Sequence, residues 1–167
     1  MERIQIVRLL VSKGANINAK SKDGSTPLFV AISTKNFEIA QFLVSNGADV
    51  DAKNKDGFTP LLAAVVLENL KTVKTLVTQG ADVDAKDKDG TTPLHAAVFY
   101  DMRIEIAKFL VAKGANVNAK DKNGKTPLDI AKEKGNAEMV EYLSSTRRET
   151  CHKGGKLAKK TARMSAS

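Results

Sequence analysis

Apolar positions recur through most of the chain at helical spacing, in short segments that come in pairs. The first segment stands alone. Ile4, Ile6, Val7, Leu9, Leu10 and Val11 predict a helix over residues 3–13 with a broad buried face, Gln5 and Arg8 lying outside it. Paired helices follow at about 27–34 and 37–45, with Ala31, Ile32, Ile39, Ala40, Phe42, Leu43 and Val44 inward. A second pair at about 60–67 and 70–78 buries Leu61, Ala63, Ala64, Val73, Leu76 and Val77. A third buries Leu94, Ala96, Ala97, Ile104, Ile106, Ala107, Phe109, Leu110 and Val111. The fourth ends in a helix from Ala137 to Ser145 and is more hydrophilic, with Lys132, Glu133, Lys134, Glu138 and Glu141, as a solvent-facing last unit should be. Burying one such aliphatic is worth roughly 1.5–3 kcal/mol, and no pair has enough of them to stand alone, so the units must support one another.

The punctuation between the helices repeats as well. Asp89-Gly90-Thr91-Thr92-Pro93-Leu94-His95 returns as Asp23-Gly24-Ser25-Thr26-Pro27-Leu28-Phe29, as Asp56-Gly57-Phe58-Thr59-Pro60-Leu61-Leu62 and as Asn123-Gly124-Lys125-Thr126-Pro127-Leu128-Asp129. The prolines stand at 27, 60, 93 and 127, in steps of 33, 33 and 34 residues. Asp-Gly or Asn-Gly predicts a tight two-residue reversal with positive backbone dihedrals, at the tip of a hairpin-like finger. Thr-Pro predicts a helix start, the hydroxyl capping an orphan amide and the proline taking the first helical position. Gly14, Gly47, Gly80 and Gly114 follow apolar segments and predict left-handed helix ends. From each of these glycines to the next proline is 13 residues, so the finger is constant and the extra residue of the 34-step falls between Pro93 and Ile104, in a turn between helices.

A fixed period of this length marks a stacked-repeat protein. Thr92-Pro93-Leu94-His95-Ala96-Ala97, with Gly47-Ala48-Asp49-Val50-Asp51-Ala52, Gly80-Ala81-Asp82-Val83-Asp84-Ala85 and Lys113-Gly114-Ala115-Asn116-Val117-Asn118-Ala119-Lys120, resembles the ankyrin repeat family. The resemblance implies an all-α solenoid of antiparallel helix pairs joined by β-hairpin-like fingers, with a concave face that holds protein partners. The array is expected over 1–146, as a half repeat at 1–20 and repeats at about 21–53, 54–86, 87–120 and 121–146, with a tail over 147–167. Carried over by register, partner contact falls on the finger positions Ser25, Phe58, Thr91 and Lys125. It falls also on the first-helix positions Ser33, Thr34, Val66, Leu67, Phe99, Tyr100, Glu133 and Lys134. In the middle two repeats these residues are apolar enough to form a contiguous patch. The competing reading is that Val66, Leu67 and Phe99 turn inward to fill the layer between helices. His95 is expected to bridge the motif threonine and neighbouring backbone.

The remaining chemistry is sparse. His95 has no positioned catalytic partner, and His152 adjoins Cys151 in the tail, where no rigid nucleophile–base geometry can be held. One cysteine and two distant histidines do not make a zinc site, and Asp49/Asp51 and Asp82/Asp84 lack the calcium-loop pattern, Asn16/Asn18 and Asn116/Asn118 taking the equivalent places. Hydrogen bonding between fingers is the better reading of these pairs. There is no phosphate-cradling glycine loop. The expectation is a non-catalytic scaffold with no cofactor and no metal. Aromatics are only 5% of the 167 residues, which suits flat layers of small and aliphatic side chains. The lone Cys151 allows no internal disulfide, in keeping with an intracellular, cytoplasmic or nuclear protein, and no segment is long and apolar enough for a spanning helix. A monomer is expected, with self-association if the missing first helix of the half repeat means a truncated, exposed edge.

Charge adds two ambiguous features. Lys20/Lys22, Lys53/Lys55, Lys86/Lys88 and Lys120/Lys122 recur on the fingers, interleaved with Asp49, Asp51, Asp82, Asp84, Asp87, Asp89 and Asp121. They read as a solvated edge rather than a ligand stripe. The tail holds Arg147, Arg148, Lys153, Lys156, Lys159, Lys160 and Arg163 against Glu149 alone, much of the chain's net charge of +8. Arg147-Arg148 followed by Lys159, Lys160 and Arg163 fits a bipartite nuclear-import pattern, and Arg147-Arg148-Glu149-Thr150 makes Thr150 a candidate basophilic kinase site. A disordered basic arm also holds nucleic acid or anionic membrane through counterion release, which is the alternative function. A solubilising or incidental tail explains the same composition.

Overall fold

The computed structural model describes residues 2–100 and 104–146. Within them the order is α1 (Glu2–Ser12), α2 (Pro27–Ser33), α3 (Phe37–Ser45), α4 (Pro60–Val66), α5 (Leu70–Thr78), α6 (Pro93–Phe99), α7 (Ile104–Ala112), α8 (Pro127–Lys134) and α9 (137–146), with no strand among the described residues. Thr26, Thr59, Thr92 and Thr126 are extended N-caps whose hydroxyl oxygens accept the N–H of Phe29, Leu62, His95 and Asp129 at 3.3, 3.2, 3.4 and 3.3 Å. Asn69 and Asn136 do the same for α5 and α9, accepting from Thr72 and Met139 at 2.8 and 2.9 Å. At the other end of α1, α3, α5 and α7 a glycine at positive φ lets the following alanine N–H reach back to a helix carbonyl, as in Ala48 to Leu43 at 3.0 Å. The α6–α7 connection spans four residues where α2–α3 and α4–α5 span three, so the longer third step is absorbed there.

The helices form two layers. α2, α4, α6 and α8 pack side by side in one, and α1, α3, α5 and α7 follow one another in the second. The first layer is the more deeply buried: Leu28, Leu61, Leu62, Ala64, Val65, Leu94 and Ala97 have no exposed surface. α9 closes the core with Met139 and Leu143. At the other end the expected broad buried face of α1 does not form. Ile4 is buried and Val7 packs partly against the core, but Ile6, Leu9 and Leu10 are 57, 58 and 53% exposed. Among the described residues, the helix packed most closely against α1 is α3. A helix with one close neighbour buries one stripe, here residues three apart, and leaves the flanking apolar positions in solvent.

The finger loops also differ from expectation. A two-residue reversal would place both Asp and Gly at positive φ; only the glycine has it. The loop has three residues. Asn54 N–H donates to Phe58 O at 3.1 Å, and Gly57 N–H donates to Asn54 O at 3.0 Å. This pattern recurs at Ser21–Ser25, Asp87–Thr91 and Asp121–Lys125. Each loop then meets the next one. Lys55, Lys88 and Lys122 donate backbone N–H to the carbonyls of Asp23, Asp56 and Asp89 at 2.8, 3.1 and 2.8 Å. At Gly57 the approach is close enough that a Cβ would lie 2.9 Å from Lys88 N and 3.0 Å from Asp87 Cα.

Side chains add a second seam. The Asn18, Asp51 and Asp84 side-chain oxygens accept the N–H of Asp49, Asp82 and Asn116, one repeat on, at 2.8, 2.9 and 2.8 Å. The finger lysines Lys53 and Lys86 are exposed, as expected of a solvated edge, and their Nζ groups also donate to the carbonyls of Lys86 and Lys120 at 2.9 and 3.0 Å. The fingers are therefore stitched from repeat to repeat by backbone, carboxylate and ammonium together.

Candidate functional site

His95 shows how α6 and the fourth finger are joined. Thr92 N–H donates to Nδ1 at 3.3 Å and the Thr92 hydroxyl lies 2.8 Å from the same nitrogen, so Nδ1 is the acceptor. Nε2–H then donates to the Lys125 carbonyl at 3.1 Å. The ring is 1% exposed. Burial pushes its pKa below the ordinary value, against the raising influence of the Lys125 carbonyl and Asp121. With both nitrogens engaged and the ring buried and neutral, His95 has no free lone pair to offer a substrate. In the fourth repeat Asp129 stands in its place, accepting from Thr126 N–H and hydroxyl at 3.0 and 2.7 Å.

Above His95 opens a cleft of about 310 Å³. One wall is apolar, made by Phe58, Leu62, Val66, Phe99, Tyr100 and Ile130; the other is the finger tips, with Asp87, Asp89, Asp121 and Lys122. Phe99 ends α6 and Tyr100 caps it, beyond the last turn that the core requires; both are about half exposed, at 50 and 51%. Their rings meet edge to face, 5.2 Å between centroids at 80°. Lys134 of α8 holds its ammonium 4.2 Å from the Phe99 centroid. Lys122 pairs with Asp89 at 2.5 Å and Lys125 with Glu133 at 2.7 Å. Desolvation opposes ionisation of Asp121, but the backbone N–H groups of Lys125 and Asn123 outweigh it, and its carboxyl titrates below the ordinary value.

A family model described as ankyrin repeats (3 copies) matches residues 2–87 and 69–153. The chain belongs to the ankyrin repeat family. Ankyrin repeats are generally protein–protein interaction modules and typically non-enzymatic scaffolds. A comparison with curated proteins returns no match. No described helix is long and apolar enough to cross a membrane.

On this ankyrin array the residues singled out by register separate into groups. Phe58, Val66, Thr91, Phe99 and Tyr100 come together on the cleft. Val66 and Leu67 are also partly packed into the core, and Leu67 is not on the cleft wall. Ser33 and Thr34 are exposed on the first repeat, where Thr34 donates its hydroxyl to Val30 O at 2.8 Å. Ser25 is buried; its hydroxyl donates to Asp23 at 2.5 Å, and Ser21 and Ser25 together hold the Asp23 carboxyl down to about 2. Lys125 stands at the fourth finger, partnered by Glu133. Register did not single out Asp87, Asp89, Asp121 or Lys122, which complete the cleft from the finger side. Arg147, Arg148, Thr150, Lys159, Lys160 and Arg163, with Cys151 and His152, lie outside the described residues.

Proposed function

We propose that this ankyrin array is a non-catalytic binding module that grips a peptide or protein surface in the cleft between Phe58, Val66, Phe99 and Tyr100 and the third and fourth fingers. The observation that carries this reading is the pair Phe99 and Tyr100: two adjacent aromatic rings, half exposed, at a helix end where the first repeat has Ser33 and Thr34 and the second has the partly buried Val66 and Leu67. Exposed aromatics at the edge of an apolar depression are the side chains that dominate binding energy when a partner covers them. The lone cysteine, with no internal disulfide to maintain, agrees with a module working in a reducing intracellular compartment. Hydrogen–deuterium exchange of the full chain, alone and with a protein that co-purifies with it, tests the location. Protection is expected at the C-terminal ends of α4 and α6 and on the third and fourth fingers. Protection confined to α3, α5 and α7 would refute it.

A further inference from the structure

The cleft carries charge that its fold does not need. Residues 21, 54, 87 and 121 occupy the same place, opening each finger loop. At Asn54 one side-chain oxygen accepts the N–H of Asp56 and Phe58, both at 2.9 Å. Asp87 does the same for Asp89 and Thr91 at 2.8 Å, and Asp121 for Asn123 and Lys125 at 2.8 and 2.9 Å. A neutral amide therefore suffices for the loop. Asp87 and Asp121 add a second oxygen and a negative charge in the third and fourth fingers, which line the cleft together with Phe58 of the second.

The nearest cations, Lys122 and Lys125, lie within electrostatic reach of Asp121, and Lys122 of Asp87 as well, but each makes its ion pair with another carboxylate. Among the described residues the ion pairs join Lys88 to Asp56, Lys122 to Asp89 and Lys125 to Glu133, and none takes Asp87 or Asp121. Lys86 reaches the Lys120 carbonyl and Lys134 covers the Phe99 ring. The charged groups lining the cleft are three carboxylates and one ammonium, and Lys134 adds a second ammonium over Phe99, so the cleft is net negative by one charge although the whole chain is +8. Phosphate-bearing ligands and acidic peptides are repelled by such a lining, while a cation beside an apolar group is attracted on both counts. At about 310 Å³ the space matches one or two side chains rather than a folded domain.

We propose that the cleft takes a segment of a protein partner in which an apolar side chain, laid on Phe99 and Tyr100, is flanked by an arginine or lysine that reaches Asp87 and Asp121. This rests on the reading of the cleft as the partner site and narrows it to a basic–apolar peptide. The seat of Lys134 over Phe99 is an internal version of the same contact, since the ring already accepts a cation.

The test is selection of short random peptides from a display library on the immobilised full chain. Recovered sequences are then synthesised and titrated against the full chain, the Asp87→Asn/Asp121→Asn chain and the Phe99→Ala/Tyr100→Ala chain. The first variant retains the loop bonds in the manner of Asn54, and an unchanged melting temperature verifies this. Recovered peptides are expected to pair an apolar residue with a nearby arginine or lysine. Their affinity should fall by about tenfold or more in the asparagine variant and be lost in the alanine variant. Peptides that need the aromatic pair but ignore the asparagine substitutions would overturn the charge assignment and leave the cleft as the partner site. Peptides indifferent to both variants, or a library that returns none held by the aromatic pair, would overturn both readings. Self-association of the full chain abolished by Phe99→Ala/Tyr100→Ala would give the cleft to a second copy and overturn the proposal as well.

Discussion

At the scale of single residues, His95 and Gly57 do what their chemistry alone would not announce. The folded chain holds the His95 ring neutral by burying it, so its pKa lies below the ordinary 6.5. Below that pH the unfolded chain takes up a proton that the folded chain refuses, and stability falls as pH falls; above it the contribution is fully present. The denaturation midpoint of the full chain is expected to drop on going from neutral pH toward the folded-state pKa, and His95→Gln should flatten that slope. Equal slopes in the two chains would contradict the assignment. Gly57 and Gly124 have nearly the same φ, 79° and 76°, but only Gly57 faces backbone of the next repeat. Gly124→Ala is expected to cost about 1–2 kcal/mol, from the left-handed backbone alone. Gly57→Ala should cost a further 1–3 kcal/mol or so because Lys88 must move. Urea melts of the two variants measure the difference, and equal losses would mean that the finger contact contributes nothing.

At the scale of the element, the helices were largely legible because their signals are local. Thr-Pro starts and Gly-Ala ends act through neighbours within one turn, and the structure places them where the sequence put them. Burial was less legible, because it depends on what packs alongside. Six aliphatics on α1 predicted a broad buried face, yet Ile6, Leu9 and Leu10 face solvent because one helix, not two layers, packs closely against α1. The turns between paired helices hold a further detail. Lys35 and Glu68 take positive φ, 59° and 54°, where the fourth repeat uses Gly135 at 69°. A side chain there costs about 1–2 kcal/mol in left-handed backbone, partly offset by the greater entropy glycine loses on folding. Lys35→Gly and Glu68→Gly should each raise stability by about 0.5–1 kcal/mol, read as an increased urea midpoint; a decrease would mean the side chains make contacts that outweigh the strain.

At the scale of the whole molecule, the core and the exposed aromatic pair of the cleft answer to different measurements. The stack is held by fully buried positions such as Leu94 and by finger bonds that recur every 33 or 34 residues. Leu94→Asp buries an unpaired carboxylate and is expected to unfold the array, lost helical circular dichroism being the readout, whereas Tyr100→Ala at a half-exposed site should leave the melt within about 1 kcal/mol. The cleft was only partly legible. Register brought Phe58, Val66, Thr91, Phe99 and Tyr100 together because the repeat fixes which positions face the fingers, although Phe58 and Val66 also pack partly against the core. Asp87 and Asp121, 34 residues apart, meet only when fingers stack, although the run Ser21, Asn54, Asp87, Asp121 at one register position was a signal of charge confined to the last two fingers. The most direct measurement is the affinity of a co-purifying protein for the full chain and for its Phe99→Ala/Tyr100→Ala variant, with the variant's melt as control. The account predicts an unchanged fold and affinity weakened by about tenfold or more; equal affinity in a folded variant would contradict it.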